Sequence, residues 1–194
     1  MLRNLHKNIK IYDLLRAWIL PIAQIDCCLP KEGTIIDLGC GQGIITSYIA
    51  RNKSRRVIGV DLDTSRLRQS NSKNLKFVNA NIVTYNLKRP NGIVISDVMH
   101  HLSYEDQDKL LSRISKSLKK GGVFVVKEID THEFVRSRLS RFWDFVFYPK
   151  DKISYTNSTS LPQQLNKLGF SVKVIRAGRL FPGSTTLYIC TKRR

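Results

Sequence analysis

The sequence predicts an α/β fold, a doubly wound and mostly parallel sheet with helices on both faces. Short apolar runs alternate with segments of helical spacing over about the first 130 residues. The runs lack an alternating wet face, as expected for strands covered on both sides. In the stretch IIDLGCGQG, an apolar run turns sharply into a helix through Gly39, Gly41 and Gly43.

The individual elements follow from spacing. Apolar side chains three and four positions apart predict a helix over residues 8–28, with a break at Pro21. The same spacing predicts helices at residues 44–51, 65–72, 132–148 and 161–168. Apolar or alternating runs predict strands at residues 34–38, 56–60, 75–80, 92–98, 123–129, 171–175 and 185–191.

One more helix has clear end signals. Ser103 begins it, and Asp106 three residues later completes a pattern similar to a capping box. Lys119 and Lys120, followed by two glycines, close it, because cations favour the last helical turn and glycine the position after it.

Length and composition predict one domain over residues 1–194, in which residues 1–30 form a helical cover. Four cysteines show no C-x-x-C pair and no histidine at ligand spacing, so neither a metal site nor a disulfide framework is indicated. A reducing, cytoplasmic location is expected. No apolar run reaches the roughly 18 residues of a membrane-spanning helix, and no secretory signal is recognisable.

The net charge of +18 favours acidic partners such as nucleic acid, anionic lipid or phosphorylated metabolites. The basic residues are scattered along the sequence without a long lysine block. A uniformly solvated basic surface and a dedicated polyanion site therefore both stay open.

Polar residues end the predicted strands. Carboxylates gathered there in a protein of charge +18 indicate a cationic ligand. A nicotinamide dinucleotide is disfavoured, because its G-x-G-x-x-G fingerprint requires glycine where Ile44 stands. The strand-end residues are Asp37, Asp61, Asn81, Asp97, and Glu128 with Asp130.

Three motifs in this order resemble the class I S-adenosylmethionine-dependent methyltransferases. They are DLGCGQG at residues 37–43, Asp61 at the end of VIGVD, and DVMHHL at residues 97–102. The run LKKGGVF at residues 118–124 is similar to the turn before the family's fifth strand. The resemblance implies a seven-stranded Rossmann-like sheet with an antiparallel last strand. It also implies a cofactor-binding core at residues 31–130 and an acceptor-side helix with closing strands at residues 131–194.

The resemblance implies S-adenosylmethionine as the cofactor. The glycine turn would pack against its methionine and ribose portions, Asp37 would help hold the amino group, and Asp61 would bind the ribose hydroxyls. Leu62 would flank the adenine. Asn81 stands where the family often has Asp, and it keeps a carbonyl acceptor for the adenine amino group without the charge. The remaining candidate cofactor-binding residues are Ile82 and Asp97.

Methyl transfer requires mainly alignment, and a base only where the nucleophile must lose a proton. His100 and His101, where the fourth strand opens, are the candidate catalytic residues, although one of them packing against or capping the next helix is the alternative. Residues 134–148 combine apolar helical spacing with three arginines and many aromatics. They predict a helix packed on the sheet, a lid or membrane-surface face, or a platform for RNA bases.

The expected function is methyl transfer to a small, apolar or lipid-linked acceptor, in the cytoplasm or at the membrane periphery. An RNA methyltransferase using the basic surface and a binding protein without transfer activity are the alternatives. Nucleic acid is the less favoured partner, because no RNA-binding module is recognisable. The oligomeric state is not predicted.

Overall fold

The computed structural model describes residues 21–63, 72–128, 160–176 and 186–193. The predicted helices at residues 65–72 and 132–148, the segment 134–148 and the first part of the N-terminal helix lie wholly or largely outside these ranges. Within the described part of the chain, no helix is long and apolar enough to cross a membrane.

The described elements agree with the predicted ones to within a few residues. The strands are β1 (Gly33–Leu38), β2 (Arg55–Asp61), β3 (Leu75–Asn79), β4 (Gly92–Ser96), β5 (Val123–Glu128), β6 (Phe170–Arg176) and β7 (Thr186–Lys192). The helices are α1 (Ile22–Cys28), α2 (Ile44–Ile49), α3 (Tyr104–Ser117) and α4 (Ser160–Lys167), with a single 3-10 turn at Met99–His101.

The seven strands form one sheet in the order β3-β2-β1-β4-β5-β7-β6. The pairs among β1 to β5 are parallel, whereas β7 runs antiparallel to both of its neighbours. The predicted mostly parallel sheet with an antiparallel last strand is confirmed. That last strand lies inside the sheet, between β5 and β6, and β6 is the edge strand.

The hydrophobic core has two halves, one on each face of the sheet. Neighbouring residues of one strand contribute to opposite halves, since side chains alternate along a strand. Ile35 packs with α1 and α2, whereas Ile36 packs with α3 and α4. The predicted covering of both faces is therefore present.

β4 ends at Ser96, two residues earlier than predicted, for a backbone reason. Asp97 has a φ of 55°, in the left-handed region that a strand cannot use. The chain turns there into the 3-10 turn and then into α3, where Ser103 accepts a hydrogen bond from the Asp106 N–H at 3.1 Å, as the capping pattern predicts.

A buried arginine attaches α1 to the sheet. Arg55, 4% exposed, forms an ion pair with Asp26 and donates to the carbonyl oxygens of Pro30, Asp26 and Leu29. A cation at the C-terminal end of a helix satisfies carbonyls that have no helical partner. This contact, made by the first residue of β2, fixes α1 over one face of the sheet.

Candidate functional site

A cleft opens at the carboxyl edge of the sheet, between β1 and β4. β1 pairs with β2 on one side and with β4 on the other, so the strand order reverses here. The loops that follow β1 and β4 therefore diverge and leave the cleft between them. Its lining combines the glycine-rich turn with the ends of both strands: Asp37, Gly39, Cys40, Gly41, Gln42, Ile44, Ile45 and Ser96.

The turn after β1 requires glycine for two different reasons. Gly39, Gly41 and Gly43 all have positive φ angles, of 75°, 52° and 75°. A Cβ on Gly39 would lie 2.4 Å from the Val98 side chain, so this glycine permits close packing. A Cβ on Gly41 would meet nothing within 4 Å. Gly41 therefore presents bare backbone to open space at the cleft.

Asp61 holds this turn in place. Its Oδ2 accepts a hydrogen bond from the Gly41 N–H at 2.7 Å, and its Oδ1 accepts one from the Asp63 N–H at 2.9 Å. The side chain is half-buried, and a carboxylate has lone pairs beyond these two bonds. Asp61 can thus order the turn and still accept hydrogen bonds from ligand hydroxyls.

Asp37 lies at the floor of the cleft, 2% exposed. Its Oδ2 accepts a hydrogen bond from the Thr46 hydroxyl at 2.6 Å. Burial raises the pKa of Asp37 to about 6, with a smaller contribution from the charge of Asp61, although the Thr46 hydrogen bond opposes the shift. A buried carboxylate whose hydrogen bond comes from the neutral Thr46 is well suited to bind a cationic group.

The environment of Cys40 disfavours the thiolate form of its side chain. Burial, followed by the charges of Asp37 and Asp61, raises the pKa of Cys40 far above its ordinary value. The small side chain instead packs close to Gly59, where a Cβ would lie 2.9 Å from the Cys40 sulfur.

Gln42 is a site residue that the sequence patterns did not identify. Its side-chain oxygen is buried, lines the cleft and has no hydrogen-bond partner among the described residues. A buried acceptor without a donor is costly, so it indicates a ligand that donates. A polar side chain between two glycines of the turn is the pattern that could have identified it.

Leu62, Asn81 and Ile82 differ in what they offer a ligand. Leu62 is 67% exposed, an apolar surface directly after the strand end. The Asn81 Oδ1 accepts a hydrogen bond from the Val83 N–H at 2.8 Å, which occupies part of its acceptor capacity. Ile82, 7% exposed, packs in the hydrophobic core.

Asp97 binds a lysine from the neighbouring strand. The Lys127 Nζ donates to Asp97 Oδ1 at 2.5 Å, and Lys127 is 5% exposed. The Asp97 N–H donates to the Lys127 carbonyl at 3.0 Å, so backbone and side chain both join β4 to β5. The ion pair neutralises one of the carboxylates expected to face a cation.

His100 is held by Glu128, the last residue of β5. The carboxylate pairs with His100 Nδ1 through Oε2 at 2.8 Å and accepts the Met99 N–H through Oε1 at 3.0 Å. Because an ionised carboxylate only accepts, the proton of this contact lies on Nδ1, and Nε2 is the basic nitrogen whenever the ring is neutral. His100 is 1% exposed, and the half-buried His101 packs beside it, with ring centroids 4.3 Å apart and ring planes tilted by 45°.

Among curated proteins, similarity is confined to parts of longer chains. A carboxy-S-adenosyl-L-methionine synthase of Nautilia profundicola is 26% identical over 107 residues, which are 52% of this chain and 46% of that protein. A trans-aconitate 2-methyltransferase of Pseudomonas aeruginosa is 33% identical over 102 residues, 51% of this chain and 36% of that protein. The chain spans about half or less of the length of these relatives.

A solved structure matches almost the whole fold. It is the 1,6-didemethyltoxoflavin-N1-methyltransferase of Burkholderia thailandensis, with S-adenosylhomocysteine bound, at a TM-score of 0.71 and 18% identity. The match covers 97% of this chain and 84% of that one. The family model described as a methyltransferase domain matches residues 6–173. The chain therefore belongs to the methyltransferase domain family and has the fold of the class I S-adenosylmethionine-dependent methyltransferases.

Proposed function

We propose that the chain binds S-adenosylmethionine in the cleft and transfers its methyl group to a small acceptor. The observation that carries this proposal is a pair of buried acceptors, the Asp37 carboxylate and the Gln42 amide oxygen, beside the bare backbone of Gly41. Both acceptors call for a ligand that donates hydrogen bonds and carries positive charge.

Each chemical group of this cofactor has a matching residue in the cleft. Asp37 and Gln42 would hold its ammonium, and Asp61 would accept hydrogen bonds from its ribose hydroxyls. Leu62 would cover one face of its adenine. The bound cofactor supplies a methyl group on a sulfonium, which is activated for displacement without metal or acid.

The chain's own contribution to transfer is then alignment and, for a protic acceptor, removal of a proton. The Glu128 carboxylate fixes the His100 ring with its basic nitrogen at Nε2. His100 and the neighbouring His101 are accordingly our candidates for the base.

Small acceptors are supported by the chemistry of the relatives, whose names specify trans-aconitate and didemethyltoxoflavin as substrates. We extend the proposal to apolar or lipid-linked acceptors because of the aromatic segment at residues 134–148. Its sequence combines aromatic and apolar residues, a composition expected to contact such an acceptor.

Replacing Asp61 by Ala is expected to weaken S-adenosylmethionine binding about 30-fold, since hydrogen bonds to a charged acceptor contribute about 1.5–3 kcal/mol. The loss includes the bond that orders Gly41. Isothermal titration of the full chain measures the change.

Asp63→Ala is the matched control, because the neighbouring Asp63 contacts Asp61 through its main-chain N–H, which alanine keeps. Equal affinities of the wild-type chain and Asp61→Ala would refute the assigned role. Absence of binding to the wild-type chain would refute the proposed function itself.

His100→Asn should keep the fold and lose turnover. An asparagine amide can replace the Nδ1 donor to Glu128, so we expect stability within about 1 kcal/mol of wild type. His100→Ala removes a hydrogen-bond donor from that buried carboxylate and should cost about 3 kcal/mol. Loss of a general base should lower turnover at least about 100-fold.

Turnover is measured as labelled methyl transfer to fractionated cell extract, with the product identified by mass spectrometry. His101→Ala is assayed beside the His100 variants, and cofactor binding to each is checked by titration. Wild-type turnover in both His100→Asn and His101→Ala would exclude a base at this turn.

A further inference from the structure

Some of the scattered basic residues form a row along the amino edge of the sheet, opposite the cleft. An exposed cation stands two or three positions before each of the six mutually parallel strands. In the spatial order β3, β2, β1, β4, β5 and β6, these cations are Lys73, Lys53, Lys31, Arg89, Lys120 and Lys167.

The antiparallel strand completes the row. Because β7 runs in the opposite direction, its last residues lie at the same edge, where Lys192 pairs with Phe170 at the start of β6. The exposed Arg193 follows directly. Every strand of the sheet thus places a cation at this edge. With strands about 4.8 Å apart, the row extends over about 30 Å.

This edge is almost free of compensating acid. Among the described residues, the carboxylates near this edge are Asp26 of α1, which pairs with Arg55, and the exposed Glu32 of the loop before β1. No cation named in the row lies within ion-pair distance of a described carboxylate. In the described part of the chain, the opposite edge carries the carboxylates Asp37 and Asp61 of the cleft, so the described parts of the two edges differ in charge.

Beside β4 the row deepens into a cavity of about 330 Å³. Four cations line this space, which is larger than a phosphate group: Lys88, Arg89, Arg113 and Lys116. Arg113, at the wall, donates to the carbonyls of Thr84 and Tyr85 at 3.1 and 2.7 Å and thereby anchors the loop that carries two of these cations.

We infer that this basic edge is a docking surface for the phosphate backbone of a single-stranded nucleic acid. A linear row of cations matches a linear polyanion, whose phosphates it can neutralise one after another. An anionic membrane is the weaker match, because surfaces that bind membranes add inserted apolar side chains to their cations. The exposed large apolar side chains of the described residues are Leu62, Tyr104 and Val174, and none lies in the amino-edge loops.

The inference is independent of the proposed methyl transfer. A strand of six residues separates the two edges by about 20 Å. The carboxylates of the cleft repel a polyanion, whereas the basic edge attracts it. Nucleic acid docked on the row would therefore leave the cleft open to a small acceptor.

The test compares two triple charge reversals by fluorescence anisotropy with labelled poly(U). The edge variant carries Lys31→Glu, Arg89→Glu and Lys120→Glu, at the centre of the row. The control variant carries the same change of net charge on exposed positions outside it, with the substitutions Lys76→Glu, Lys109→Glu and Lys173→Glu.

Wild-type affinity should fall steeply with salt, with a slope of about −4 in log K against log salt for six neutralised phosphates. The edge variant should bind at least about 100-fold more weakly, and the magnitude of its salt slope should be smaller by about 2. The control variant should change affinity only a few-fold. Thermal melting and S-adenosylmethionine titration establish that both variants fold.

Two results would overturn the inference. If both variants lost the same affinity, net charge rather than the row would explain the binding. If poly(U) failed to bind while phosphatidylglycerol vesicles bound the wild-type chain and not the edge variant, the edge would be a membrane surface.

Discussion

Replacing Asp37 by Asn is expected to stabilise the fold and, at the same time, to abolish tight cofactor binding. Burial raises the pKa of Asp37 from 3.8 to about 6, so ionising this carboxylate is harder in the folded chain than in the unfolded one. A shift of this size corresponds to about 3 kcal/mol of lost stability once the pH exceeds both values. Asparagine has no charge to desolvate, and its oxygen can still accept the Thr46 hydroxyl.

The contribution of Asp37 to the free energy of unfolding should fall as the pH rises. The folded-state pKa lies above the unfolded one, so the folded chain holds the proton more tightly. Stability from this group is complete below about pH 4 and is lost as the pH rises through about 6. The gain from Asp37→Asn should therefore be about 3 kcal/mol near pH 8 and should shrink towards pH 4. Urea unfolding at both pH values measures it.

Binding should change in the opposite direction. The ammonium group of S-adenosylmethionine requires an ionised partner, so Asp37→Asn should weaken its binding about 100-fold, and wild-type affinity should fall below about pH 6. Thr46→Val is the comparison near pH 8, because it keeps the carboxylate and removes only the hydroxyl contact that opposes the rise in the pKa of Asp37. If Asp37→Asn gained no stability near pH 8, or bound the cofactor as well as wild type does, Asp37 would not be a buried, ionised binding residue for the cofactor.

The sheet was predictable from sequence because its signal is local. Uniformly apolar runs require cover on both faces, and the glycines after β1 require a turn with positive φ. The end of β4 was not predictable. Val98 continues the apolar run beyond Ser96, and only the left-handed backbone of Asp97 ends the strand.

The site was predictable where residue type alone determines its chemistry. Acidic residues at strand ends are recognisable in the sequence, but their partners are not. Asp97 is neutralised by Lys127, thirty positions away, and His100 is held by Glu128 from the same neighbouring strand. Such pairs depend on the register of β4 against β5, which the sequence does not encode locally.

The basic row was also not predictable from the sequence. In the sequence its cations are separated by tens of residues and give no cluster. The six cations of the parallel strands, however, each stand two or three positions before the strand begins. A parallel sheet brings the starts of all these strands to one edge, so cations that are far apart in the sequence form a row in the structure.

Gly39→Ala and Gly41→Ala, the same change two residues apart, are expected to fail in different ways. At Gly39 the new methyl group would lie 2.4 Å from the Val98 side chain, on a backbone with φ of 75°. Strain and overpacking together should lower the free energy of unfolding by about 3 kcal/mol. At Gly41 no atom lies within 4 Å of the new Cβ, so only the backbone cost of about 1 kcal/mol applies.

Gly41→Ala should instead lose cofactor affinity, because its methyl group occupies the space in which a ligand must approach the bare backbone. Gly121→Ala isolates the backbone cost, since Gly121 has a φ of 73° and an open Cβ position at the opposite edge of the sheet. We expect Gly41→Ala and Gly121→Ala to unfold at similar urea concentrations, while only Gly41→Ala weakens S-adenosylmethionine binding, by at least about tenfold. Equal affinity in these two variants would mean that the open space at Gly41 is not where the ligand lies, and the cofactor would have to be assigned to another part of the edge.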